Sequence, residues 1–148
     1  MTTKDGRARG EEQIRERIDS WAKALRAKDL QGVLSHYAPD IRSFDLAPPL
    51  EHRGGAVRDT LAEWLPTWDG PIGYDIRDLS VIACDDVGFS HSLNHLTGKR
   101  TSGEKTDVWF RSTVCFRKID GEWMAVHDHT SVPFYMDGSF RAAVDLRP

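Results

Sequence analysis

Apolar residues recur every three or four positions in the first part of the chain, a spacing typical of a helix with one buried face. They are Ile14, Ile18, Trp21, Ala22 and Leu25. Residues 1–10 are rich in Gly, Lys and Arg, so they are predicted to form a flexible arm before a single domain over 11–148. The same spacing predicts a short helix over 30–37, capped by Asp29, and a third helix over 56–65.

The second half of the chain alternates apolar and polar residues, as β-strands do. It contains four such segments, over about 73–83, 87–98, 105–118 and 122–132. Asp120-Gly121, between the last two, is the strongest hairpin signal. A shorter alternating segment over 41–46 lies between the second and third helices. This order predicts an α+β domain in which a curved, cone-shaped antiparallel sheet wraps around the N-terminal helices, with a small-molecule cavity between them.

Composition and charge limit the classes of function. The 148-residue chain is 39% hydrophobic and 29% charged, as expected for a globular domain with a core. Its net charge of -3 argues against nucleic acid as the main partner. The chain has no apolar stretch long enough to span a membrane, and its first residues do not resemble a secretion signal, so we expect a cytoplasmic protein without a membrane partner. Cys84 and Cys115 are expected to be free thiols.

The segment WMAVHDHTSVPF, residues 123–134, has an unusual polar pattern. If it is a strand, His127, His129 and Ser131 point to the same side. In a catalytic pocket, the two imidazoles would polarise a substrate or shuttle a proton. A metal site is the rival interpretation, but a His-x-His pair needs a third and usually a fourth ligand, so no metal ligand is assigned.

The preceding strands supply the other candidate residues. Asp107, Trp109 and Arg111 share one face, and a mixture of charge and aromatic surface is typical of a ligand pocket. If this face and the histidine face coincide, all these side chains line the cavity, where Arg111 could clamp a carboxylate. Asn94 is a further candidate, although alternation leaves open which side of its strand is inside. The alternative is that Arg111 and Asp107 form an ion pair and that the histidines lie in a dimer interface.

Three segments of the chain carry a family resemblance: SWAKALRAKDLQGVLSHYAPDIRSFD, FRKIDGEW and VHDHTSVP. In this order they resemble the nuclear transport factor 2-like superfamily, and within it the ketosteroid isomerase-like and SnoaL-like polyketide cyclase proteins, over residues 12–133. The resemblance implies a conical, cystatin-like α+β barrel that is commonly a homodimer through the outer face of its sheet. It does not imply one chemistry, because members include isomerases, cyclases, dehydratases and non-catalytic domains.

The resemblance also implies a catalytic base. In the steroid isomerases a general-base Asp lies eight residues after the Tyr that ends the second helix, and here Asp45 follows Tyr37 at that spacing. Tyr37 is therefore expected to line the ligand site beside Asp45. At the positions that match the two oxyanion donors of those isomerases, this chain has Trp21 and Thr113. The likeness therefore does not extend to steroid isomerisation by that mechanism.

Three functions remain open from the sequence. The first is a cofactor-free isomerase or lyase, such as a cyclase or dehydratase, in which Asp45 acts as general base on a carbonyl compound. The second is a module that binds a small ligand in a hydrophobic pocket without turnover. The third is a dimeric scaffold whose cavity is incidental. No cofactor is expected for any of them.

Overall fold

The computed structural model describes residues 3–148, which contain three α-helices and six strands. In chain order these are α1 (Lys4–Arg26), α2 (Leu30–Leu34), β1 (Tyr37–Phe44), β2 (His52–Arg53), α3 (Gly55–Trp64), β3 (Trp68–Ala83), β4 (Val87–Arg100), β5 (Lys105–Ile119) and β6 (Glu122–Ser131). A short 3-10 helix, Leu65–Thr67, joins α3 to β3. Within this part of the chain, no helix combines the length and the apolar character needed to cross a membrane.

Helix α1 begins earlier than its apolar spacing indicates. The side chain of Thr3 caps it by accepting a hydrogen bond from the backbone nitrogen of Gly6 at 3.0 Å. Gly10 is buried against the sheet, so the first turns of the helix also gain contacts with the core. The arm expected over 1–10 is therefore helical over 4–10, and its first two residues lie outside the described part of the chain.

The six strands form one curved sheet in the order β2-β1-β6-β5-β4-β3. The meander from β3 to β6 is antiparallel, as the alternation predicts. Strand β1 pairs with β6 in parallel, so the sheet is mixed and not antiparallel throughout. This pairing covers the free edge of β6 and joins the first and last strands of the domain in space.

Two apolar clusters lie between the helices and the inner face of the sheet. The first surrounds Ile14 of α1, which has no exposed surface and packs with Val81, Ala83, Phe116, Trp123 and Ala125. The second joins Leu25 and Val33 to Trp68, Ile72, Tyr74, Leu96 and Phe110. Helices inside a curved sheet were the architecture predicted from the sequence, and the structure confirms it.

The turn between β5 and β6 supplies the first prediction. Asp120 and Gly121 have φ angles of 50° and 82°, a region that side chains disfavour by about 1 kcal/mol. A Cβ added at Gly121 would meet no atom within 4 Å, so a substitution there acts on the backbone alone. We therefore expect Gly121→Ala to lower the free energy of unfolding in urea by about 1 kcal/mol.

Gly55→Ala is the matched control, because it also adds a methyl group in open space but lies at the start of α3. Alanine favours a helix more than glycine does, so this variant should be as stable as the wild type or slightly more stable. Equal stability of the two variants would contradict the role assigned to the turn.

Candidate functional site

One extra residue interrupts the alternation of β6. Phe116 and Cys115 of β5 pair with Ala125 and His127, so Val126 between those partners is a β-bulge. Beyond the bulge, the even-numbered residues of β6 face the helices, and the odd-numbered residues, including both histidines, face outward. The bulge therefore determines which side chains of β6 reach the interior.

A cavity lies between the helices and the inner face of the sheet. It has an inner chamber of about 80 Å³ and an outer chamber of about 250 Å³. Five residues line both chambers, and we call them the junction: Trp21, Tyr37, Tyr74, Asp128 and Thr130. Apolar side chains form much of the remaining wall of the inner chamber, including Ile18, Ile76, Leu79, Val114 and Phe116. A mostly apolar cavity with a few polar groups is typical of a small-molecule site.

Asp128 is the carboxyl group of the junction, and it is surrounded by protein atoms except where it faces the cavity. Burial raises its pKa above the ordinary value. The hydrogen bond that Ser43 Oγ donates to its Oδ1 opposes this rise, and the negative charge of Asp45 adds to it. A carboxyl group with a raised pKa is a stronger base when ionised, which suits general acid–base catalysis.

Two tyrosine hydroxyls of the junction can donate to a ligand. Tyr37 accepts a hydrogen bond from Trp21 Nε1 at 2.9 Å, and Tyr74 accepts one from Asn94 Nδ2 at 2.7 Å. Burial raises the pKa of both phenols, so both remain protonated. Among the residues described, neither hydroxyl donates to a protein acceptor. Two such donors in a cavity can stabilise negative charge on a ligand oxygen.

Three residues predicted from the sequence do lie at the cavity. Tyr37 lines both chambers, Asn94 lines the inner one and Asp45 lines the outer one. Asp45 is exposed, and its Oδ1 lies 3.4 Å from Thr130 Oγ1, which donates to it. The residue that matches the isomerase base is therefore at the mouth, whereas the carboxyl group at the junction is that of Asp128.

The other predicted residues lie on the outer face of the sheet and line neither chamber: Asp107, Trp109, Arg111, His127 and His129. They were expected to line the cavity, and the structure places them outside it. Alternation correctly grouped them on one side, but it could not tell which side was inside. Phe110, Ser112 and Val114 of β5 face the core instead, because the apolar and small side chains pack under the helices.

Asp107 takes part in a cluster on this outer face. Its Oδ1 lies 2.6 Å from both Arg147 Nη1 and His95 Nε2. The hydrogen bond from Arg147, followed by that from His95, lowers the pKa of Asp107 to about 2. The His95 ring stacks on Trp109 with centroids 4.4 Å apart. The ion pair of Asp107 is thus with Arg147 and not with Arg111, the partner that the sequence suggested.

The His-x-His pair of β6 does not belong to a metal site in the part of the chain that the structure describes. No three or more His, Cys, Asp or Glu side chains there are placed to hold a metal ion together. Both cysteines are free thiols, as expected from their separation in the sequence.

Sequence reasoning missed three groups of the site: Ser43, Tyr74 and Asp128. Alternation placed Asp128 opposite its histidine neighbours, which is correct, but only the histidine face was considered as part of the site. The partner of Asp128 is Ser43, opposite it in the parallel pairing of β1 with β6, and no local pattern reveals a contact between residues so far apart. An isolated carboxylate in an otherwise apolar strand face was the only signal available.

Comparisons with known proteins agree with this fold. The SnoaL-like domain family matches residues 14–135. A nuclear transport factor 2-like protein of unknown function from Pseudomonas putida KT2440 is 31% identical, and the match covers 95% of this chain and 98% of that one with a TM-score of 0.87. No curated protein is significantly similar to the chain in sequence.

Two more distant structures share the fold. A ketosteroid isomerase-like protein from Erwinia carotovora is 19% identical, with 82% of this chain and 94% of that one covered and a TM-score of 0.70. The association domain of CaMKII from C. elegans is 15% identical, with 86% and 98% covered and a TM-score of 0.68. Because the family match spans most of its length, this chain belongs to the SnoaL-like domain family of the nuclear transport factor 2-like superfamily.

Proposed function

We propose that this protein binds a small, mostly apolar carbonyl compound and moves a proton on it, as a cofactor-independent isomerase, cyclase or dehydratase. The observation that carries this proposal is the junction, where Asp128 with its raised pKa meets two tyrosine hydroxyls that can donate. A ketosteroid isomerase-like protein shares the fold, which makes proton transfer next to a carbonyl a reasonable class of reaction.

In this proposal, ionised Asp128 removes a proton from the carbon next to the carbonyl group. The electron pair of the broken C–H bond moves into the carbonyl group, and hydrogen bonds from Tyr37 and Tyr74 stabilise the resulting enolate oxygen. Return of the proton to another carbon gives isomerisation. Attack of the enolate on a second carbonyl carbon of the same molecule gives cyclisation, and the proton on Asp128 passes to the alkoxide oxygen that forms. Loss of a β-hydroxyl group, which takes the proton from Asp128 and leaves as water, gives dehydration.

Asp45 has a different role here from the one its spacing implies. It lies at the mouth of the outer chamber, and its negative charge helps to raise the pKa of Asp128. The same cavity could also hold a ligand without turnover. Catalysis is the better supported alternative, because a buried carboxyl group without a cationic partner costs stability and is typical of functional sites.

Removal of the base should stop proton transfer. Asp128→Asn keeps the size of the side chain and an acceptor for Ser43 Oγ, but it removes the basic carboxylate. We expect the wild type to accelerate exchange of the α-protons of aromatic ketones such as 2-tetralone in D₂O, followed by NMR. Exchange by Asp128→Asn should be slower by about 10²–10⁴-fold.

Asp45→Asn is the matched control and should retain most of the exchange activity, because it lies at the mouth and acts through charge alone. If Asp45→Asn lost the exchange activity and Asp128→Asn retained it, Asp45 would be the base. If the wild type bound such ketones and catalysed no exchange, the protein would be a binding module.

The raised pKa of Asp128 predicts a pH-dependent stability. The folded protein binds the proton of Asp128 more tightly than the unfolded chain, whose pKa is near the ordinary 3.8. The wild type therefore loses stability as the pH rises from that value through the folded pKa. We expect Asp128→Asn to have the higher melting temperature at pH 7 and to lose this advantage at about pH 3.5.

Asp137→Asn is the matched control, and its change in stability at pH 7 should have the opposite sign. Hydrogen bonds from Ser139 lower the pKa of exposed Asp137, so its ionised form is favoured in the folded protein. That variant should be the less stable one at pH 7, and its deficit should shrink in acid. A melting temperature of Asp128→Asn at or below that of the wild type at pH 7 would show that the carboxyl group is not destabilised by its burial.

We also propose that the protein forms a homodimer through the outer face of the sheet. Phe44 and Phe89 on this face are 37% and 41% exposed, and neighbouring Ile82 is 48% exposed. The rings of His127 and His129 pack edge-on to Phe44, with centroids 4.7 and 5.5 Å apart. Large apolar side chains grouped on a strand surface typically mark an interface. An association domain with the same fold supports this use of the architecture.

A charge introduced on this face should separate the subunits. We expect the wild type to have about twice the 16.7 kDa chain mass in sedimentation equilibrium. Phe89→Glu should weaken the dimer by about tenfold or more, because it buries a carboxylate without a partner. Leu50→Glu, at a residue that is 96% exposed in a loop, should leave the mass unchanged. A monomeric wild type at all concentrations would disprove the dimer.

A further inference from the structure

His36 is a buried histidine that the proposed proton transfer does not use. It is only 6% exposed, and it lines the inner chamber but not the outer one. Its Nδ1 lies 2.8 Å from the carbonyl oxygen of Gly32, which can only accept, so Nδ1 carries the ring proton. Nε2 of the neutral ring is then a bare acceptor. Within residues 3–148 it has no hydrogen-bond partner.

The surroundings keep this ring neutral. Burial lowers the pKa of His36 and the positive charge of Arg17 lowers it further, while hydrogen bonds with the backbone act in the opposite direction. A buried acceptor without a partner is costly, so a ligand that donates a proton to it gains affinity. His36 lines the inner chamber, so the cavity is the side from which a ligand approaches the ring.

Arg17 determines which kind of donor fits best. Its Nε donates to the carbonyl oxygen of Trp123 at 3.0 Å and its Nη2 to that of Ser35 at 3.1 Å. These bonds hold the guanidinium group in place, and no carboxylate of the described chain pairs with it. Its charge therefore favours a ligand oxygen with partial negative charge. A carboxylate would satisfy Arg17 but has no proton for His36, whereas a phenolic hydroxyl satisfies both.

We propose that the inner end of the cavity is a subsite for a phenolic hydroxyl, which donates its proton to His36 Nε2 beside Arg17. The apolar walls of the inner chamber, among them Ile18, Leu79 and Val114, receive the aromatic ring. The inference rests on the proposed function in one respect, namely that the cavity holds a ligand. It adds the class of that ligand, an aromatic compound with a ring hydroxyl in the inner chamber, and makes His36 a residue that determines specificity.

Matched probes test the subsite by calorimetry. We expect the wild type to bind 2-naphthol about tenfold more tightly than 2-methylnaphthalene, which has the same shape without the donor. It should also prefer 2-naphthol to 2-methoxynaphthalene, which keeps the oxygen and lacks the proton. His36→Phe should weaken binding of 2-naphthol to the level of 2-methylnaphthalene and leave binding of 2-methylnaphthalene unchanged. His36→Gln, which retains an acceptor, should preserve part of the preference.

Equal affinity of the wild type for the three probes would overturn the subsite, as would a preference that persists in His36→Phe. Failure to bind any of them would overturn it as well. The comparison of probes on the wild type needs no variant, so the test stands even if His36→Phe does not fold. The proposed function is judged separately, by α-proton exchange with Asp128→Asn, so the two can fail independently.

Discussion

The extra residue Val126 in β6 is the constraint on which the site depends. It reverses the inward and outward alternation of side chains along the strand. Ala125 before it and Asp128 after it therefore both face inward although they are three positions apart. In a regular strand the inward position after Ala125 would be that of His127. The junction would then contain an imidazole, and the carboxyl group would lie on the outer face. The chemistry available to the cavity is therefore decided by a single change of register.

The parallel pairing of β1 with β6 supplies the hydrogen-bond partner of the carboxyl group that the bulge turns inward. It places Ser43 beside Asp128, so the partner of one carboxyl oxygen is a neutral hydroxyl group. Trp21 of α1 and Tyr74 of β3 reach the same junction from the opposite wall. A carboxyl group whose pKa is raised by burial is expected to cost stability at neutral pH, which the apolar clusters on either side of the cavity offset. Natural sites commonly trade stability for a reactive group in this manner.

Local patterns predicted the elements well, because helix and strand periods and the Asp120-Gly121 turn depend on neighbours in sequence. They predicted only part of the site, because alternation groups residues by side without saying which side is buried. Trp109 and Arg111 have the chemistry of a pocket, yet they lie outside, since the apolar side of β5 is needed under the helices. The contact between Asp128 and β1 joins distant parts of the chain, and only the folded sheet brings it about.

The histidines of β6 still bear on the site from outside the cavity. Positive charge on His127 and His129 lowers the pKa of Asp128 through the strand, against the effect of burial. Their rings pack on Phe44, on the face through which we propose that two chains associate. The outer side of β6, through which we propose association, and its inner side, which carries the proposed base, thus lie back to back on one strand, and charge on the outer side acts on the carboxyl group of the inner side.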